Sequence, residues 1–154
     1  MKFEKMFSPI QIGPMEVKNR FVVPPMGNNF ANTDGTMSDQ SVAYYGARAK
    51  GGFGLITLEA TVVHKGAKGG PRKPCLYDDS AIPSFKKVID ACHAEGAKVS
   101  IQLQNAGPEG NAKNAGAPIQ AATAVTSADG RDIPEAVTTC LLYTSPSPRD
   151  GLLS

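Results

Sequence analysis

Three short apolar stretches, each leading into a loop rich in proline or glycine, dominate the hydrophobic pattern of the chain. The first spans residues 21–23 and stops at two prolines and Gly27. The second begins at Phe53, and the third runs over residues 98–107. Apolar runs of this length bounded by turn residues predict buried β-strands.

Two amphipathic stretches separate these strands and predict helices. The first follows Ser38, which is a good N-cap, and runs to about Lys50. The second is capped by Asp79 or Ser80 and ends at Gly96. Residues at three- and four-residue steps form the buried faces: Val42, Tyr45 and Ala49 in the first helix, and Ile82, Phe85, Val88, Ile89 and Cys92 in the second.

The flanking segments carry weaker signals. Residues 10–12 and 15–17 are extended pieces on either side of Gly13-Pro14, which predicts a small hairpin. Residues 110–118 are small and polar and show no period.

The predicted order is strand–helix–strand–helix–strand, which requires right-handed crossovers and parallel pairing. Two α/β architectures fit this order: an open doubly wound sheet, or the N-terminal part of a (β/α)₈ TIM barrel. The pattern alone does not choose between them. A complete barrel takes about 250 residues, so well under half of its strands would be present here.

Composition narrows the functional classes. The chain has 154 residues, of which 41% are hydrophobic and 19% charged, as in a soluble globular domain. A net charge of +2 gives no reason to expect a nucleic-acid or membrane partner. The first residues lead into no signal-like apolar core, so a cytoplasmic protein is expected. The three cysteines have neither metal-site nor disulfide spacing.

Several polar residues fall where the predicted strands end. Gln102 and Gln104 alternate with apolar residues, so they share one face of the third strand. From spacing alone, a backbone partner is favoured over a heterocyclic ligand for these amides. Glu59 is a lone carboxylate at the end of the second strand. The loop after it is basic, and a solvated loop is favoured there over a phosphate site: Lys65, Lys68, Arg72 and Lys73.

Six motifs follow one another along residues 1–139, on the predicted strands and helices. They are Met6 to Gly13, Val17-Lys-Asn-Arg20, Val23-Pro-Pro-Met26, Tyr44-Tyr45 with Arg48-Ala-Lys-Gly-Gly52, Gly54-Leu-Ile-Thr-Leu-Glu-Ala60, and Ile101-Gln-Leu103 followed by Ala106-Gly107. Together they resemble the old yellow enzyme family of flavin oxidoreductases. Its bacterial branch of NADH-dependent enoate and 2,4-dienoyl-CoA reductases is the most similar.

The resemblance implies a TIM barrel with FMN at its carboxyl face. It also implies that NADH or NADPH reduces the flavin, and that hydride then passes to an activated alkene of the enone or enoyl type. Longer members carry a 4Fe-4S cluster and FAD, which would belong to parts of the protein outside this chain.

By motif match, five residues are implied to bind the cofactor. Pro25, Met26 and Gly27 form the loop that lies along the flavin, Ala60 touches the ring through its backbone, and Gln102 hydrogen-bonds the pyrimidine end. No catalytic residue and no metal ligand is assigned.

The chain departs from the family pattern at three positions. Gly27 stands where many relatives carry cysteine or threonine, while Asn105 and Pro108 replace a histidine and an arginine. The family's substrate-binding His/Asn pair, its proton-donating tyrosine and its phosphate site lie beyond the third strand and have no counterpart here. We therefore expect the isolated chain to be inactive and to bind FMN weakly.

The last fifteen residues do not continue the pattern. From Cys140 onward there is no helical period, and Pro146 and Pro148 would break the helix due there. The run resembles translated adapter read-through, so the expected division is residues 1–139 as barrel and residues 140–154 as a non-native tail. The alternative to an enzyme is a non-catalytic α/β fragment or small-ligand binding module that retains the motifs only as fold.

Overall fold

The computed structural model describes residues 3–126 and 131–140, so the tail predicted to be non-native lies outside the described residues apart from Cys140. The helices and strands are, in chain order, α1 Glu4–Phe7, β1 Ile10–Ile12, β2 Met15–Val17, β3 Val22–Val23, α2 Asp39–Lys50, β4 Leu55–Val62, α3 Ile82–Ala94, β5 Lys98–Gln104, α4 Ala112–Ala115, β6 Gln120–Ala121 and β7 Glu135–Ala136. Among the described residues, no helix combines the length and the apolar character needed to cross a membrane.

Three parallel strands form the central sheet, in the order β3-β4-β5. Val22 pairs with Leu55, which in turn pairs with Lys98, so the strands start level and their carboxyl ends reach one edge. This confirms the parallel pairing expected from the sequence. β3 starts one residue later than predicted, at Val22, although the Phe21 carbonyl still accepts from the Gly54 N–H at 3.0 Å. It ends at Val23 as predicted, because the two prolines that follow have no N–H to donate to a sheet ladder.

Both long helices pack on the same face of this sheet. One buried cluster joins them to β4 and consists of, among others, Tyr45, Ala49, Ile56, Leu58, Phe85, Val88 and Cys92. An open doubly wound sheet places helices on both faces, whereas a barrel places them all outside. Sequential strand order with one helical face therefore favours the barrel architecture.

The hairpin of β1 and β2 forms as predicted and is fixed at the amino end of the sheet. Lys18 Nζ donates a hydrogen bond to the Glu95 carbonyl at 2.6 Å, and Asn19 Nδ2 donates to the Gly52 carbonyl at 2.8 Å. A Cβ on Gly54 would lie only 2.6 Å from Asn19 Oδ1, so this position requires glycine. These motif residues therefore join the hairpin to the chain ends of α3 and α2.

Two local expectations were wrong, and one segment without a clear signal contains a short helix. Asp78, not Asp79 or Ser80, caps the segment before α3, because a 3₁₀ turn at Asp79–Ala81 precedes the α-helix. Ile82 is 51% exposed, since the turn buries Ala81 instead. The segment at residues 110–118 contains α4, which is capped by Asn111 at its start and by a left-handed Gly116 at its end.

Candidate functional site

The structure brings the predicted cofactor-binding residues to one edge of the sheet. Gln102 lies on β5 opposite Glu59 and Ala60 of β4, between the pairs that flank a register shift. Pro25 lies two residues beyond Val23, the last residue of β3. The loop at residues 25–27, Ala60 and Gln102 therefore meet at the carboxyl edge, where parallel α/β sheets bind ligands.

A β-bulge decides which β4 side chains face this edge. The register shifts between Leu58 and Thr61, so two residues on β4 oppose one residue on β5. Bulges of this kind change the direction of a side chain without breaking the sheet. Leu58 and Glu59 are consecutive and both buried, while Ala60 is half-buried. The bulge therefore turns Glu59 into the protein and leaves Ala60 at the open edge.

Glu59 is held in a network of buried polar groups. Its side chain is only 1% exposed, and Oε2 accepts a hydrogen bond from the Asn28 N–H at 3.3 Å. The backbone N–H of Glu59 donates to the Tyr45 hydroxyl at 3.0 Å, and Asn28 Nδ2 donates to the same hydroxyl at 3.2 Å. One tyrosine oxygen thus links the loop after β3 to β4.

Lys73 supplies the charge that faces this carboxylate. Its Nζ lies 3.7 Å from Glu59 Oε2, within ion-pair distance, and its side chain is 23% exposed. A Cβ on Gly27 would lie 3.0 Å from the same Nζ. The lysine therefore reaches from the loop after β4 to the loop after β3.

Burial controls the titration of both acidic groups in this network. Burial raises the pKa of Glu59 above its usual range, although Lys73 and the nearby backbone N–H groups oppose the rise. Burial, with a smaller contribution from the Glu59 charge, raises the pKa of Tyr45 to about 12. The tyrosine therefore keeps its proton at neutral pH and can act as a donor as well as an acceptor.

The outer surface of the edge is open and mixed in character. Met26 is 61% exposed, and Gln102 is exposed on the face that also carries the hydrogen-bonded pair Thr57 and Ser100. This face is opposite to the helices. An edge that offers both apolar surface and an amide suits a flat heterocycle that has both apolar area and polar edges. The residues present therefore fit a flavin ring.

The basic loop after β4 is solvated only in part: Lys65 and Arg72 are exposed, as expected, but Lys68 is not. Lys68 is 4% exposed, and its Nζ donates to the Thr33 carbonyl at 2.8 Å. Arg72 Nε donates to the Ala31 carbonyl at 3.0 Å. These two cations join the loop after β4 to the loop after β3, so their role is structural.

The replaced family positions form a turn of their own. Asn105 Oδ1 accepts from the Gly107 N–H at 2.8 Å, and Pro108 lies in the 3₁₀ turn Gly107–Glu109. The side-chain oxygen of Asn105 is therefore already hydrogen-bonded within its own loop.

Sequence reasoning missed two members of the network. The sequence places Tyr45 on the apolar face of its helix and in a family motif, but it does not predict that its hydroxyl accepts from both the Glu59 N–H and the Asn28 amide. The signal was available, because a buried tyrosine usually finds a partner for its hydroxyl. Lys73 was grouped with the other loop cations, and nothing in the sequence separates it from them.

Similarity to known proteins establishes the family of the chain. The family model described as NADH:flavin oxidoreductase / NADH oxidase family matches residues 5–144, which is most of the chain. The chain belongs to this family.

Curated relatives of the family are similar over about two thirds of the chain. The NADH oxidase of Thermoanaerobacter brockii is 41% identical over 106 residues, which are 68% of this chain and 16% of the relative. An NADPH dehydrogenase of Listeria monocytogenes serotype 4b is 39% identical over 104 residues, which are 67% of this chain and 31% of the relative. The chain thus spans less than a third of these relatives.

Solved structures place the fold within a TIM barrel. The old yellow enzyme from Pichia sp. AKU4542 superposes with a TM-score of 0.80 at 27% identity, covering 92% of this chain and 39% of that enzyme. A 2-naphthoyl-CoA reductase in complex with 2-naphthoyl-CoA gives a TM-score of 0.78 at 31% identity, covering 88% of this chain and 23% of that enzyme. The chain therefore folds as part of a (β/α)₈ barrel of the old yellow enzyme type, which confirms the expected fold.

Proposed function

We propose that this chain is the N-terminal part of an FMN-dependent NAD(P)H oxidoreductase that reduces activated alkenes of the enone or enoyl type. The observation that carries the proposal is the meeting of the loop at residues 25–27, Ala60 and Gln102 at one carboxyl edge, in a chain of the NADH:flavin oxidoreductase family. Relatives named NADH oxidase and NADPH dehydrogenase support a nicotinamide nucleotide as the reductant.

Each cofactor-binding residue has a proposed task. The backbone of Pro25, Met26 and Gly27 lies against the ring, Ala60 contacts it through its backbone, and the Gln102 amide hydrogen-bonds its pyrimidine end. FMN, when bound, would supply the redox chemistry between NADH or NADPH and the alkene, while the protein would orient the ring. The chain's own contribution is therefore binding and orientation.

The remaining parts of the catalytic apparatus are proposed to lie in the rest of the full-length protein. These include the proton donor and the phosphate site. They also include the 4Fe-4S cluster and FAD if the protein is one of the longer members. A cytoplasmic location is proposed from membership of this family of flavin oxidoreductases.

Residues 140–154 are proposed to be adapter read-through. Resequencing the locus tests this, since an uninterrupted native frame through these codons would contradict it.

The isolated chain is expected to bind FMN weakly and to lack activity. Within the described residues the far edge of β5 has no strand partner, and Leu103 is exposed beside it. An unpaired strand edge with exposed apolar residues invites association. Stoichiometric flavin and alkene reduction in the purified chain would contradict this expectation.

The decisive experiment uses the full-length protein encoded by the complete reading frame. We expect it to purify with FMN, and we expect Gln102→Leu to weaken FMN binding two- to tenfold, the effect of losing one net hydrogen bond. Fluorescence titration with FMN measures the affinity. Gln104→Leu is the matched control, because this glutamine lies two residues further along the same strand and has no proposed contact with the ring.

The alternative is a binding module that keeps the motifs only as fold. Absence of flavin from the purified full-length protein, with no affinity for added FMN, would favour this alternative. Flavin absorbance of the purified protein therefore separates the two functions at once.

A further inference from the structure

The space beside Gly27 is occupied by a cation from another loop. A Cβ at this position would lie 3.0 Å from Lys73 Nζ and 3.8 Å from Glu59 Oε2. Gly27 does not have a positive φ, so its backbone does not itself demand glycine. The missing side chain leaves room for the ammonium group, which takes up part of the volume that a larger residue would fill.

The aliphatic part of Lys73 is accommodated by a second glycine. A Cβ on Gly70 would lie 3.5 Å from Lys73 Cγ and 3.7 Å from its Cε. The side chain therefore lies between Gly27 and Gly70 and ends beside the Glu59 carboxylate. This arrangement holds the Lys73 ammonium group at the carboxyl edge of the sheet, next to the loop at residues 25–27.

The ammonium of Lys73 has donors to spare. An ammonium carries three N–H donors, and among the described residues the polar contact of Lys73 Nζ is with Glu59 Oε2 at 3.7 Å, which takes up at most one of them. Lys68, in contrast, donates to the Thr33 carbonyl at 2.8 Å and is almost fully buried. Lys68 thus has a fixed partner within the protein, while Lys73 is partly exposed and can serve a ligand.

We propose that Lys73 is a flavin-contacting residue, whose ammonium donates a hydrogen bond to a polar edge of the bound ring and favours its reduced, negatively charged form. This inference rests on the proposed function, since it requires FMN at the carboxyl edge. Glu59 is then a positioning residue, which holds the lysine and leaves at least two of its three donors for the ring. Gly27 provides the opening through which the ammonium reaches the ring.

The test measures the redox equilibrium of bound FMN in the full-length protein, poised against a reference dye. In Lys73→Met we expect the ratio of reduced to oxidised FMN at a fixed dye potential to fall about tenfold or more, as for the loss of a charged hydrogen bond. Lys73→Arg retains the charge and should restore most of the ratio. Lys65→Met removes an exposed lysine from the same loop and should leave the ratio unchanged.

Two further variants separate a direct contact from a merely structural role. If Lys73 only neutralises Glu59, the double variant Lys73→Met/Glu59→Gln restores the wild-type ratio, and the proposal is overturned. If Lys73 contacts the ring, the double variant keeps the loss. Gly27→Thr should displace the ammonium and reproduce the loss, with no additional effect in combination with Lys73→Met.

Failure of this inference is distinguishable from failure of the proposed function. Wild-type protein that binds FMN, together with an unchanged ratio in Lys73→Met, overturns the role of Lys73 alone. Wild-type protein with no affinity for FMN overturns both.

Discussion

The two ends of β4 lie in contrasting environments. At the amino end, Lys18 and Asn19 donate to backbone carbonyls, and Asn19 and Val17 pack closely against Gly54. At the carboxyl end, Lys73 has unused donors and Gln102 is exposed, although both lie beside a buried carboxylate network. Motif residues occur at both ends, but their surroundings differ: those at the amino end are engaged in packing, and those at the carboxyl end include exposed polar groups. The contrast teaches that the motifs of one strand serve packing at its amino end and leave polar groups open at its carboxyl end.

The largest expected effect is at the amino end. Gly54→Ala would place a Cβ 2.6 Å from Asn19 Oδ1 and 2.8 Å from Val17 Cγ1. We expect a loss of about 2–3 kcal/mol in the free energy of unfolding, because overpacking forces the hairpin away from the sheet. Urea denaturation measures the loss. If this variant is too unstable to purify, a lower yield than wild type in the soluble fraction indicates the same loss of stability.

The control for this variant is Gly46→Ala. Gly46 lies inside α2, and a Cβ there would make an ordinary 3.7 Å contact with Ala91. Replacing a helical glycine by alanine should stabilise the chain by about 0.5–1 kcal/mol. Equal effects of the two alanines would contradict the claim that the amino end is closely packed.

An intermediate effect on the free energy of unfolding is expected for Tyr45, whose hydroxyl belongs to the buried polar network around Glu59. Tyr45→Phe removes the acceptor of the Glu59 N–H and of the Asn28 amide. Leaving these buried donors without a partner should cost about 1–3 kcal/mol of unfolding free energy. Tyr44→Phe is the control, since no hydrogen bond of the Tyr44 hydroxyl exists within the described residues, and its cost should stay below about 0.5 kcal/mol. Similar losses in both variants would contradict the network.

The smallest effect is the pH dependence of stability that Glu59 contributes. Because its pKa is raised in the folded state, the folded chain holds this proton more tightly than the unfolded chain, so stability falls as pH rises from 4.5 through the raised value. Lys73 and Tyr45 are the other titratable groups that face it. Urea denaturation at several pH values measures the slope, and Glu59→Gln should flatten it over this window.

The control for the pH experiment is Glu109→Gln, at an exposed glutamate. This variant should keep the wild-type slope. A slope that survives in Glu59→Gln would show that the buried carboxylate is not its source.

Most of the fold could be predicted from the sequence, because local signals determine it. The turn at Gly13-Pro14, the Ser38 cap and the spacing of Tyr45, Ala49, Phe85 and Val88 each specify their element locally. The exposure of Ile82 could not be read in this way, since it depends on a 3₁₀ turn that changes the phase of the following helix.

The candidate site was only partly predictable. Gln102 faces away from the helices as period-two alternation requires. The burial of Glu59 departs from that alternation because of the bulge, and the residue types at positions 58–61 do not predict a bulge. The pairing of Lys73 with Glu59 joins two loops through space, and the sequence does not distinguish this lysine from Lys68. Contacts of this kind are set by tertiary packing.

The cations that cross between the two loops have a consequence for how a ligand is received. Lys68 and Arg72 bind carbonyls of the loop after β3, and the Cys75 N–H donates to the Gly35 carbonyl at 2.9 Å. Neither loop can open without breaking contacts to the other, so we expect the two loops to move together. A ring that docks there as proposed should meet a surface shaped in advance, with little conformational entropy lost from the loops.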